Sequence, residues 1–118
     1  MSGCALDFAL AVVAGKWKPT ILWVLHPQPM HFGELRRMLD GISEKVLTEQ
    51  LRQLEADGVV ERDDYREGAV RRVRYRLTES GQRLNDAVHA LAEWGNAYVV
   101  APQDSEAASG RSKAEPRR

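Results

Sequence analysis

Residues 31–58 read HFGELRRMLDGISEKVLTEQLRQLEADG, two amphipathic stretches either side of Asp40-Gly41. In the first, Phe32, Leu35 and Met38 recur at helical spacing and predict a helix over Phe32–Leu39. Asp40-Gly41 ends it, because glycine accepts the left-handed conformation at the residue after a helix. After a short turn, Ser43 is a suitable N-cap and Glu44 a favourable first-turn acid for a second helix. Val46, Leu47, Leu51 and Leu54 fall on one side of it, and Gly58 closes it. Lys45, Thr48 and Arg52, at i, i+3 and i+7, form a polar ridge on the other side.

Upstream, Leu6, Leu10 and Val13 predict a helix over Leu6–Ala14 that Gly15 closes. Trp17, Ile21 and Leu25 continue an apolar stripe through a further helix, with Pro19 in its first turn and Pro27 and Pro29 ending it. Downstream, the pattern changes period. Val59–Tyr65 and Arg72–Leu77 read as two strands joined through Glu67-Gly68, a β-hairpin. In the second strand Val73, Tyr75 and Leu77 share one face, and Arg72, Arg74 and Arg76 share the other, which reads as cationic. Thr78 can cap a last helix on which Leu84, Val88, Leu91 and Tyr98 form a heptad-like seam.

The 118 residues suffice for one compact domain and are too few for two of ordinary size. Residues 1–102 are expected to form that domain and residues 103–118, which have no apolar period, a disordered tail. Hydrophobic residues at 43% and charged residues at 29% are an ordinary globular composition. The apolar run Phe8–Ala14 follows Asp7 and breaks at Lys16 and Lys18, so it reads as neither a signal peptide nor a membrane span. A single cysteine, Cys4, allows no intramolecular disulfide and suits a reducing cytoplasm. Seventeen basic residues balance seventeen acidic ones, yet five arginines and one acid lie between Arg66 and Arg76. That is a local cationic arm on a neutral body.

Helix, glycine turn, amphipathic helix and basic hairpin is the order of a winged helix-turn-helix, whose second motif helix enters the DNA major groove. The expected fold class is therefore mainly α with a small β-hairpin, flanked by N- and C-terminal dimerisation helices. The Lys45-Thr48-Arg52 ridge can face base edges and flanking phosphates, and Arg71, Arg72 and Arg74 of the wing can hold neighbouring phosphates.

From Cys4 to about Val100 the chain resembles the HxlR-type winged-helix regulators, relatives of the MarR-type repressors. The resemblance rests on Gly15-Lys16-Trp17-Lys18, His31–Arg37, Ile42–Thr48, Leu51–Val60 and Tyr75–Gly81. It implies a dimeric transcription factor, with duplex DNA bearing two symmetric half-sites as its partner and Ser43, Lys45, Thr48 and Arg52 at the recognition helix. It also implies a dimer interface on the first and last helices, through Leu6, Leu10, Leu84, Val88, Leu91 and Tyr98. The spacing of Cys4 from Gly15-Lys16-Trp17 matches the cysteine that some members use for redox or electrophile sensing. The chain departs from the family at Ala5, where a proline is usual, and in the wing, where Ala69-Val70-Arg71 replaces a proline pair and Arg74 a common acid.

Other functions have weaker footing. His26, His31 and His89 stand apart from one another and from Cys4, so no metal site is expected, and His31 reads as structural. No phosphate loop or Ser-His-acid context points to an enzyme, and no cofactor is implied. Trp17 reads as core, while Trp17, Trp23 and Trp94 together leave a small-molecule effector pocket open. A winged helix that binds a protein in place of an operator is the competing class.

Overall fold

The computed structural model describes residues 4–103, with side chains as far as Val99. The elements are α1 (Ala5–Val12), α2 (Lys18–Leu25), β1 (Met30–His31), α3 (Phe32–Met38), α4 (Glu44–Ala56), β2 (Val60–Glu67), β3 (Val70–Leu77) and α5 (Glu79–Gln103). The mixed α+β class is as expected, but the sheet has three antiparallel strands in the order β1-β3-β2 where a two-stranded hairpin was anticipated. The added strand pairs Met30 with Tyr75 and His31 with Arg74. Two residues between Pro29 and a helix carry no alternation to read, and their pairing lies more than forty positions away in sequence.

Two compact units divide within α5, between Asn85 and Asp86. The sequence places its boundary at 102/103; Gln103 is the last residue of α5, and the tail from 104 onward lies outside the described residues. Among the described residues no helix is long and apolar enough to cross a membrane.

The core of the first unit grows from the stripes read above. Ile21, Leu22 and Leu25 of α2, Leu35 of α3 with Leu39 after it, and Leu47, Leu51 and Leu54 of α4 are each at most 1% exposed. Burying a leucine fully stabilises by about 1.5–3 kcal/mol relative to leaving it in water, so three on one helix strongly restrain its rotation. Val60 and Leu77 add the base of the sheet to this core. Between α3 and α4 Gly41 takes φ +89°, and the Ile42 N–H donates to the Leu39 carbonyl at 3.1 Å. Trp17 is only half-buried, and Trp23 and Trp94 are exposed, so the tryptophans contribute less to the core than their helical spacing suggests.

Thr78 ties the sheet to α5. Its Oγ1 donates to the Gly58 carbonyl at 2.7 Å and accepts from the Gly81 N–H at 3.0 Å, while its own N–H donates to the Val59 carbonyl. The start of α5 lies so close that a Cβ on Gly81 would strike the Val59 carbonyl oxygen, and backbone cannot swing aside as a side chain can. Gly81→Ala should therefore destabilise the fold by about 1–3 kcal/mol or more, against the small gain that alanine brings to a helix interior. Urea unfolding of the two proteins measures the difference, and an equally or more stable variant would contradict the packing described.

Candidate nucleic-acid interface

Because Leu47, Leu51 and Leu54 face the core, the opposite side of α4 faces solvent. Lys45 and Arg52 are exposed there and Thr48 is half-buried between them, along a ridge of about 10 Å at 1.5 Å rise per residue. At the helix start Ser43 is exposed, and its Oγ accepts from the Val46 N–H at 3.1 Å. Among the described residues neither Lys45 nor Arg52 pairs with a carboxylate. The structure thus brings Lys45, Thr48 and Arg52 to one side of α4, with Ser43 capping its first turn.

Two further cations flank that end of α4. Arg36 and Arg37, in the last turn of α3, line an open groove with Gly33, Asp40, Gly41, Ile42 and Ser43. Arg36 also donates from Nε to the Ile42 carbonyl at 3.4 Å, steadying the turn. Their signal in the sequence is a pair of exposed basic residues beside the buried Leu35, on α3 and not on the α4 ridge.

The wing is a longer hairpin than its alternation suggested, closing over Gly68-Ala69 with Glu67 opposite Val70. Its register decides the charge of each face. Directly paired residues share a face, so Arg72, Arg74 and Arg76 lie with Glu61, Asp63, Tyr65 and Glu67. Arg76 meets Glu61 at 2.7 Å, Arg74 meets Asp63 at 3.0 Å and Arg72 meets Glu67 at 3.5 Å. This face, read from β3 alone as cationic, carries three arginines against three acids. The other face holds Arg62, Arg66 and Arg71 against Asp64, and its base is the buried pair Val60 and Leu77. Asp64 Oδ2 accepts from both Arg62, at 3.1 Å, and Arg71, at 3.2 Å. Arg66, directly opposite Arg71 near the tip, donates to the Ala69 carbonyl and meets no carboxylate among the described residues. The Tyr75 side chain opposite Arg62, and then the Asp64 and Glu55 carboxylates, hold its guanidinium above the ordinary range. Because Val60 and Leu77 are buried in the core that the α4 leucines share, this face is the one turned to the α4 side of the sheet. The ion-paired side chains of the wing are 39% exposed or more, and exposed ion pairs add little stability, so their main effect is on charge.

His31 joins the wing to the helix-turn-helix. Its N–H donates to Glu34 Oε1 at 2.8 Å and its Nδ1 lies 3.2 Å from the same oxygen, while Nε2 is 2.7 Å from the Tyr65 hydroxyl. Tyr65 in turn stacks under the Arg74 guanidinium at 4.8 Å. The structural reading of His31 has this geometric basis. Among the described residues no group of histidine, cysteine and carboxylate side chains could hold a metal.

The remaining residues singled out from sequence lie elsewhere. Cys4 is a half-buried free thiol at the N-cap of α1. On α1 Leu6, Phe8 and Leu10 are 63%, 67% and 49% exposed, and only Val12 of that helix is buried. On α5 Leu84 and Val88 are half-buried, whereas Leu91, Trp94 and Tyr98 are each more than 60% exposed, with the last two rings 4.7 Å apart.

A sheet-backed helix-turn-helix with a β-wing defines a winged helix-turn-helix transcriptional regulator. The chain belongs to the HxlR-like helix-turn-helix family, whose pattern it matches over residues 12–103. It is 41% identical over 93 residues to the HTH-type transcriptional regulator YybR of Bacillus subtilis, an alignment covering 79% of this chain and 74% of that one. Among solved structures, the redox regulator HypR in its reduced form superposes with a TM-score of 0.75 at 38% identity, covering 84% of this chain and 99% of that one. The reduced form of the regulator YodB from B. subtilis superposes with a TM-score of 0.77 at 29% identity, covering 86% and 98%.

The His31 backbone N–H, then its side chain, hold the Glu34 carboxyl below the usual glutamate value of 4.5. A carboxyl depressed on folding adds stability that is complete above its unfolded pKa and is lost as pH falls through the lower folded one. Glu34→Gln should therefore be less stable than the parent near neutral pH, with the gap closing as pH drops below about 4. Urea unfolding at pH 7 and pH 3 measures this, and a gap that ignores pH would remove the ionised cap.

Proposed function

We propose that the chain is a cytoplasmic homodimeric repressor that reads a palindromic or pseudo-palindromic duplex operator with α4 and carries out no catalytic step. The observation that carries this reading is the polar ridge of α4, turned outward by its buried leucines and bearing two cations with no acidic partner among the described residues. Lys45, Thr48 and Arg52 face the major groove, and Ser43, with Arg36 and Arg37, lies toward the adjacent backbone. Arg71 and Arg66 of the wing reach neighbouring phosphates from the α4 side of the sheet. Arg72 and Arg74, on the opposite face and already paired, contribute to the wing's shape and less to its grip.

The exposed apolar residues of α1, and separately of α5, call for a partner, since soluble monomers seldom expose contiguous apolar patches. A second copy supplies one. A two-fold dimer then requires half-sites one helical turn or a multiple apart. Cys4, the sole cysteine, can form a disulfide only with another molecule, and HypR is described as a redox regulator. Two Cys4 thiols giving two protons and two electrons to diamide would join the protomers and reorient α1, with release of DNA.

Three measurements test the reading. Lys45→Ala with Arg52→Ala should lower affinity for an enriched genomic fragment by at least about tenfold, since a bidentate base contact is worth ~1–3 kcal/mol, and leave the circular dichroism spectrum unchanged. Retained specific affinity would remove α4 as the reading helix, and affinity indifferent to salt would favour a protein partner. Light scattering should show a dimer at micromolar concentration; a monomer would contradict the interface. Diamide should release DNA from the parent and spare Cys4→Ser, whereas equal loss from both would exclude Cys4 as the sensor.

A further inference from the structure

The wing carries acids at the positions where a phosphate grip would least want them. On the face toward α4, one carboxylate oxygen of Asp64 accepts from both Arg62 and Arg71, and Arg71 is 65% exposed. We infer that Asp64 is a specificity-determining residue that holds down the wing's sequence-independent attraction for the DNA backbone. The inference rests on the DNA-binding reading above.

Three arginines on this face could neutralise three phosphates, but the Asp64 charge stays beside two of them whether or not its hydrogen bonds persist. A phosphate can displace the carboxylate from Arg71, since the pair is exposed and weak. It cannot remove the carboxylate's charge, which repels it from a few ångströms away. The face therefore acts with about one cation fewer, and each cation adds nearly one unit to the slope of log affinity against log salt. This loss falls equally on every DNA sequence, because backbone contacts carry no sequence information. Discrimination is left to the unpaired ridge of α4. Asp63 provides the internal comparison: it also pairs with an arginine, Arg74, at 3.0 Å, but on the face turned from α4.

The test uses the full chain and a random-sequence duplex of about 30 base pairs, titrated at several salt concentrations. Asp64→Asn keeps the side chain's shape and its ability to accept hydrogen bonds while removing the charge. It should bind the random duplex roughly five- to tenfold more tightly near 0.1 M salt, with a salt slope steeper by about 0.9. Its preference for an enriched genomic fragment over the random duplex should narrow. Asp64→Glu should restore parental affinity and slope, and Asp63→Asn should leave both unchanged. Weaker binding by Asp64→Asn would overturn the inference by showing that the carboxylate positions the arginines for DNA, and unchanged binding would overturn it by showing that its charge does not act on the backbone. An equal gain from Asp63→Asn would overturn it by showing that only net charge matters. Absence of duplex binding by the parent even at low salt would instead overturn the DNA-binding reading, and this inference with it.

Discussion

The burial of Leu47, Leu51 and Leu54 is the constraint on which the rest of the molecule depends. A helix of thirteen residues could rotate or slide on its neighbours if its apolar side were broad or weakly packed. Here three leucines, none more than 1% exposed, meet Ile21, Leu22, Leu25, Leu35 and Leu39 in one core. Turning α4 by a quarter of a turn would expose part of that stripe at a cost of several kcal/mol. The polar ridge therefore inherits its direction from the core, and the Ser43 cap and the Gly41 turn set where along the helix it begins.

This dependence explains why the helical half of the structure was legible. Period and caps are local properties: the i, i+3, i+4 recurrence on α4 and the cap at Ser43 can be read within a single window of sequence. The ridge follows from the same window, since whatever is not buried at helical spacing faces outward. The ends of α1 were less clear, because its apolar residues Leu6, Phe8 and Leu10 are exposed in the single chain and no packing within it sharpens the boundary.

The wing was legible as a shape but not as a charge distribution. Alternation along β3 shows that Arg72, Arg74 and Arg76 share a face, yet what stands opposite them depends on register. Moving the pairing by one residue would exchange every partner. With Glu61 opposite Arg76 and Asp63 opposite Arg74, the strand that looks cationic by itself becomes half of a neutral face. The excess of arginine falls on the other side, through Arg62, which lies among acids in β2 and so did not stand out, and Arg66, which belongs to the cationic arm but has no face until the register is known. β1 was missed for a related reason. Only its pairing with β3 makes Met30–His31 a strand, and that pairing is what brings His31 within reach of Tyr65.

The two halves of the interface also differ in how charge is held. On α4, with Glu49 and Glu55 one turn along the helix, neither Lys45 nor Arg52 forms an ion pair among the described residues, which leaves both able to answer to whatever group lies opposite, base edge or phosphate. On the wing, arginines and acids are interleaved, and His31 fastens the assembly to α3 through Glu34 and Tyr65. A flexible cationic arm would strengthen binding to any polyanion and so dilute whatever selectivity the helix achieves. A stiff arm with compensated charge adds orientation with little indiscriminate attraction. Zero net charge across the chain fits the same division: the attraction that matters is confined to a few arginines and lysines whose direction the leucine core controls.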